Sequence, residues 1–256
     1  MSFENPRAFQ GKGVTTWEGL IKSVRAKVKG TKVKIRLGAS SGEWKAMVAD
    51  EAARTTFAKN IKTVLEKNKL DGIDLDFEWA ENEKEYKDYS LAILKMREVL
   101  GDKYLFSVSL HPVCYKISKE AIEAVDFISL QCYGPSPVRF PIEKYCSDIQ
   151  MVLEYGIPKE KLVAGVPFYG VTKDNSKKTE AYFNFVQNGL VTSPAQNEVI
   201  YQGDTYVFDG QDNIRIKTRY AKEQKLKGMM SWDLATDLPL SDSRSLLKTM
   251  TEELRE

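Results

Sequence analysis

The chain has 256 residues, with 38 basic against 36 acidic side chains and a formal net charge of +2; that length can bury a sizeable core. No basic surplus exists to neutralise phosphates, so nucleic acid is excluded as the main partner, and no apolar run reaches the ~18 residues that a membrane span needs. Three cysteines without metal spacing (Cys114, Cys132 and Cys146) and one histidine, His111, exclude a disulfide scaffold and a histidine-rich zinc site, so no metal or other cofactor is predicted.

Along the chain, β-branched or aromatic runs alternate with stretches rich in Ala, Lys, Glu and Leu. A helix over 16–29 precedes a strand at 33–40, and a helix over 48–69, opened by Asp50, precedes the strand at 72–79. Helix 83–100 leads to strand 104–110, helix 118–123 to strand 125–133, and helix 142–155 to strand 162–170. A last helix near 216–226 feeds the strand at 228–234. Six strands separated by helices predict parallel βα units with both sheet faces covered. No linker rich in Pro, Ser or Gly interrupts them, so residues 1–256 read as a single barrel domain. The stretch 171–227 breaks the rhythm with a helix near 181–189 and two short strands around Gly203 and Asp204, an excursion from the loop end where such barrels place their sites.

The chemistry concentrates in DGIDLDFEW at 71–79. By strand alternation Asp74, Asp76 and Glu78 share one face, while Ile73, Leu75 and Phe77 share the other. In a parallel sheet the apolar face meets helices, which sends the acids into the barrel. Burying three carboxylates costs several kcal/mol each, by order of magnitude, unless they share protons or find donors. Same-face neighbours lie roughly 6.8 Å apart at Cα. Like charges that close cannot all ionise, so at least one proton is held above the ordinary carboxylate range. Glu78, outermost and longest, is the candidate general acid. Asp71 precedes the strand and reads as a turn brace. Trp79 points to the other face by alternation and reads as packing, and Cys132 reads as buried filler. His111, at a strand end beside Pro112, is a candidate whose alternative is packing. A divalent-cation site on the three acids is the hard-ligand alternative, but no phosphate-cradling glycine loop accompanies it.

DGIDLDFEW resembles the DGxDxDxE signature of glycoside hydrolase family 18, the chitinases and endo-β-N-acetylglucosaminidases. Further matches occur in the same order: KIRLGASSG (34–42) loosely, then LQCYG (130–134), LVAGVPFYG (162–170) and GMMSWDLATD (228–237), together covering about residues 1–240. The resemblance implies a TIM-type (β/α)8 barrel and retaining, substrate-assisted hydrolysis of β-1,4-linked N-acetylglucosamine, the exception to the two-carboxylate scheme. Glu78 would protonate the glycosidic oxygen and then activate water. Asp76 would accept from the acetamide N–H, and Asp74 would share its proton. Tyr133 would donate to the acetamide oxygen, and Trp232 would stack under the sugar. Gln131 and Tyr169, at strand ends, complete the candidate substrate-binding set. The partner implied is an N-acetylglucosamine-containing oligo- or polysaccharide, whether chitin, N-glycan core or peptidoglycan-derived.

Gly134 departs from the Asn or Asp that family members keep after the tyrosine. Chitinase-like lectins on this fold typically lose the acid, which Glu78 retains, and a non-catalytic carbohydrate-binding protein is the rival reading. The family is mostly secreted, so secretion or the cell envelope is the location implied, yet MSFENPRAF reads as no signal peptide. MSFENP at 1–6 resembles only the tip of the family's second strand, so the barrel is predicted to lack its first strand and helix. Open barrel edges leave three outcomes: a strand from a second copy, a gap covered by 171–227, or self-association through those edges.

Overall fold

The computed structural model describes residues 17–40, 43–134, 140–174 and 178–256; the strand tip expected at 1–6 and the end of the KIRLGASSG run lie outside them. The chain enters through α1 (Trp17–Lys27) into β1 (Arg36–Ser40), then runs through α2 (Trp44–Ala49), α3 (Glu51–Lys67) and β2 (Gly72–Asp76). It continues through α4 (Glu83–Leu100), β3 (Leu105–Leu110), α5 (Lys119–Ala124), β4 (Phe127–Leu130), α6 (Ile142–Tyr155) and β5 (Leu162–Pro167). After β6 (Tyr169–Thr172), β7 (Thr179–Ala181), α7 (Tyr182–Gln187), β8 (Glu198–Tyr201) and β9 (Asp204–Val207) come α8 (Gln211–Glu223), β10 (Gly228–Trp232) and α9 (Leu246–Arg255).

Six strands form one parallel sheet in the order β1-β2-β3-β4-β5-β10, with helices between successive strands. This is most of a (β/α)8 barrel. Among the described residues β1 and β10 are the ends of the sheet and do not pair with each other. The predicted alternation holds in β2. Ile73, Leu75 and Phe77 are buried in the apolar layer against the helices, where Phe77 stacks on Trp44 with ring centroids 5.3 Å apart.

The structure corrects four local expectations. The helix expected over 48–69 is two helices, because the Asp50 side chain accepts from Ala53 N at 2.7 Å and starts α3 afresh after α2. The strand expected over 162–170 divides at Phe168, whose N–H donates to Trp232 O of the neighbouring strand β10 at 2.8 Å, the last bond of the β5–β10 ladder. From Tyr169 onward the chain leaves the barrel, so the excursion starts there rather than at Val171 and builds a four-stranded antiparallel sheet, β7-β6-β9-β8. The helix expected near 216–226 starts at Gln211. Finally, α9 has no counterpart among the predicted elements; Ser245 caps it through Lys248 N, and Asp237 accepts from Leu246 N at 3.0 Å and Leu247 N at 2.9 Å.

No helix among the described residues is long and apolar enough to cross a membrane.

Candidate active site

Register places the polar side chains. β2 pairs in parallel with β1 (Gly38 opposite Asp74, Ser40 opposite Asp76) and with β3 (Asp74 opposite Ser107), and β3 sets Ser109 opposite Ser129 on β4. Adjacent positions in a parallel ladder point the same way. Above Leu105 and Phe127, the face of β1–β4 turned from the helices therefore carries small or polar residues, and the acids stand among them. A cavity of about 340 Å³ opens there, lined by Asp74, Asp76, Ser109, Gln131, Tyr133 and Trp232 among others.

Asp74 is the deepest acid. Its oxygens accept from Ser107 Oγ and from Ser109 Oγ (2.7 Å), and Arg36 stands 3.8 Å away with its guanidinium over the Phe127 ring. Burial still raises its pKa above the ordinary carboxylate value, against the pull of those donors and that cation. Asp76 sits next along the strand. Burial, with Glu78 and Asp74 alongside, pushes it up to about 6. This is the elevated acid that three neighbouring carboxylates require.

Gln131, just past β4, ties two acids together. Its Nε2 donates to Asp76 Oδ1 at 2.9 Å and to Glu78 Oε1 at 3.3 Å, while its Oε1 accepts from Tyr133 OH at 3.0 Å. Tyr133 is buried, and burial raises its pKa, so it stays a phenol that can donate. Tyr169 stands behind it, edge-on with ring centroids 6.3 Å apart. Trp232, at the end of β10, is 56% exposed at the cavity mouth. These predicted residues occupy one end of the parallel sheet, the C-terminal ends of its strands.

Glu78 lies beyond the regular part of β2. Trp44 Nε1 donates to its backbone carbonyl at 3.0 Å, and His111 Nε2 lies 2.8 Å from its Oε1. The hydrogen bond with His111 is the main reason its pKa is lowered rather than raised, which differs from the simplest picture of a waiting acid. Because regular pairing ends at Asp76, alternation does not carry on to Trp79. That side chain is partly buried against the core, in keeping with the packing reading, and also meets His111 edge-on at 5.1 Å. Asp71 is a brace as read: it accepts from Ile35 N at 2.8 Å. Cys132 is buried, and burial pushes its thiol up to about 12.

Sequence reasoning missed Ser107, Ser109, Arg36 and Trp44. The serines had a signal: in YLFSVSL they alternate as the aspartates do in DLD, which in a parallel sheet marks the same face. Among the described residues, no group of three or more His, Cys, Asp or Glu side chains is placed to hold a metal ion.

The site is thus a row of carboxylates at the C-terminal ends of parallel barrel strands, with an amide bridging two of them and an aromatic ring at its mouth. The family model described as "Glycosyl hydrolases family 18" matches residues 7–237, and the chain belongs to that family. It is 23% identical to "Probable chitinase 2" of Drosophila melanogaster over 80% of this chain and 56% of that protein, so it spans about half the length of that curated relative. Its fold is similar to the "GH18 chitinase ChiB from the chitin utilization locus of Flavobacterium johnsoniae" (TM-score 0.77, 25% identity, 94% of this chain and 80% of that one). It is equally close in fold to the "chitinase-like agglutinin RobpsCRA from Robinia pseudoacacia" (TM-score 0.77, 19% identity, 92% and 84% covered).

Proposed function

We propose that the chain hydrolyses β-1,4-linked N-acetylglucosamine in chitin oligomers or related glycans, with retention and with the substrate's own acetamide as nucleophile. The observation that supports this most is the Gln131 bridge: one amide bonds Asp76 and Glu78 together beside Tyr133, at the mouth of a cavity floored by Asp74. Where a proton on the cluster sits depends on what faces Asp76. In the free site Asp76 has the raised pKa and Glu78 the lowered one. An acetamide N–H placed on Asp76 favours its ionised form, and like charges at this spacing then favour the proton on Glu78. Substrate binding thus arms the acid. Glu78 protonates the leaving oxygen and afterwards takes a proton from water. Tyr133 donates to the acetamide oxygen as it attacks, a bond that strengthens in the transition state. Trp232 supports the ring at the mouth.

A second reading, a carbohydrate-binding protein without turnover, has the same fold behind it, since that fold is shared with an agglutinin. Product analysis on an N-acetylglucosamine tetramer separates the two. The chain should release shorter oligomers, and Glu78→Gln should lower the rate by about 10²–10⁴-fold or more while retaining binding, because the amide keeps the shape without a transferable proton. Binding without cleavage by the unaltered chain supports the second reading, and near-native turnover by Glu78→Gln removes Glu78 from the role.

A further inference from the structure

His111 is 5% exposed and held from both sides of its backbone. It follows β3 directly, and it exchanges two backbone hydrogen bonds with Cys114 (3.2 and 2.8 Å) across the turn that contains Pro112. Its ring meets Trp79 edge-on, and its Nε2 reaches Glu78 Oε1 at 2.8 Å. Among the described residues Nδ1 is buried without a hydrogen-bond partner. A proton there would be an unsatisfied buried donor, whereas a proton on Nε2 is aimed at a carboxylate, so the second tautomer fits the site. Oε1 of Glu78 then receives both His111 and Gln131, and Oε2 is the oxygen left for a substrate.

The ring needs room to stand there, and Gly134 provides it. A Cβ at position 134 would lie 3.3 Å from His111 Cε1 and 3.7 Å from Nδ1. The first distance is tighter than ordinary packing, so the ring or the backbone would have to move. Gly134 carries no positive φ among the glycines that do. Its backbone conformation does not call for glycine; the neighbouring imidazole does.

We infer that His111 is a positioning residue for Glu78, occupying one carboxylate oxygen so that the other alone meets the glycosidic bond, and that Gly134 is small to admit its ring. The inference rests on the hydrolase reading for its consequence, though not for its geometry. An N–H donor on Glu78 favours the ionised form, which suits the water-activating half of the reaction and opposes the protonating half. His111 therefore sets the upper pH at which the acid still carries a proton. Other titratable groups facing the pair are Asp76 and Asp74 from β2, Tyr133 after β4, Cys114 in the same turn, and Asp148 of α6, itself paired with Lys144. All are retained when His111 or Gly134 is replaced, so a change reads on the imidazole.

Two measurements on the full chain test this: the pH profile of kcat/KM on the N-acetylglucosamine tetramer, and the 13C titration of the Glu78 carboxyl, assigned by its loss in Glu78→Gln. His111→Phe, which keeps a ring but removes the donor, should move the basic limb and the titration midpoint upward by about half a pH unit or more, the weight of one charge-assisted bond at a half-exposed carboxylate. His111→Gln, which restores an Nε2 donor at similar reach, should bring both back toward the original. Gly134→Ala should shift them upward in the native background and leave them unmoved in His111→Phe. Equal Glu78 midpoints in the native chain and a folded His111→Phe overturn the inference, as does a Gly134→Ala effect that persists without the imidazole. If His111→Phe does not fold, His111→Gln and Gly134→Ala decide. Absence of turnover in the unaltered chain would remove the hydrolase reading alone, since the carboxyl titration needs no reaction.

Discussion

Two places in this molecule put charges out of water, and they do so in opposite ways. At the junction of α6 and α8, Lys217 (side chain 2% exposed) meets Asp209 (0%) at 2.6 Å, and its ammonium also donates to Phe140 O at 2.8 Å and lies over the Tyr145 ring. Asn213 donates to the remaining Asp209 oxygen at 3.2 Å. Charge is balanced and the donors are used. In the barrel, Asp74, Asp76 and Glu78 crowd together with Arg36 beside only the deepest of them, and hydroxyls, an amide and the His111 imidazole supply the other bonds. The first arrangement pairs one cation with one anion. The second sets three carboxylates near one guanidinium, and burial with like charges alongside raises Asp76 to about 6.

The comparison breaks most visibly if the balanced pair is unbalanced. Lys217→Met leaves Asp209 buried without its cation, which should cost about 3–5 kcal/mol and lower Tm by roughly 10 °C. Adding Asp209→Leu should recover most of that loss, because the pair as a unit contributes little beyond an apolar filling. Thermal scans of the single and double variants check this; a single variant as stable as the native chain would mean the pair is not buried as described.

Neutralising the barrel cluster should do the reverse. Asp76 has a folded-state pKa of about 6 against an ordinary 3.8, so the folded state binds protons more strongly than the unfolded one. Stability therefore falls as pH rises from about 4 to 6, and the ionised group is a cost above that window. Asp76→Asn should raise stability at pH 7.5 by about 1–3 kcal/mol, with the gain vanishing below pH 4 where the native carboxyl is protonated in both states. Turnover should fall sharply in the same protein. A gain in Tm that persists unchanged at pH 3.5 would point to packing rather than charge.

The sequence made the barrel and the acid row legible for one physical reason. Period-two alternation in DGIDLDFEW is strong, and parallel topology leaves only the lumen for its polar side. The same logic would have found Ser107 and Ser109, but serine carries too little signal to stand out beside aspartate. Beyond Asp76 the rule lapses, since pairing stops there, and this is why the contacts of Glu78 with His111 and of Trp79 with His111 could not be derived. Those contacts are set by a turn, His111 to Cys114, whose direction depends on tertiary packing. The break at Phe168 was illegible for a related reason: LVAGVPFYG is continuously apolar or aromatic, and it divides only because its first part pairs with β10 and its last part with the antiparallel sheet. The helix after Ser245 could have been found from its cap and its amphipathic LLKTMTEELR run.

The smallest effect lies at the rim of the cavity. Trp232 ends β10 opposite Pro167 of β5 and is 56% exposed, so its ring is not part of the packed core. A core tryptophan replaced by alanine leaves a cavity and costs about 3–5 kcal/mol, whereas an exposed one leaves none. Stacking of a sugar face on an exposed aromatic ring contributes on the scale of aromatic contacts, about 0.5–1.5 kcal/mol. Trp232→Ala should accordingly raise KM for the N-acetylglucosamine tetramer about three- to tenfold, leave Tm within a degree or two, and leave the pH profile where it was. The unmoved profile is the informative part, because it would separate the residue proposed to hold the sugar from those proposed to move a proton. A shifted basic limb in Trp232→Ala would mean that the rim and the carboxylates are coupled, and the division drawn between holding and proton transfer would have to be given up.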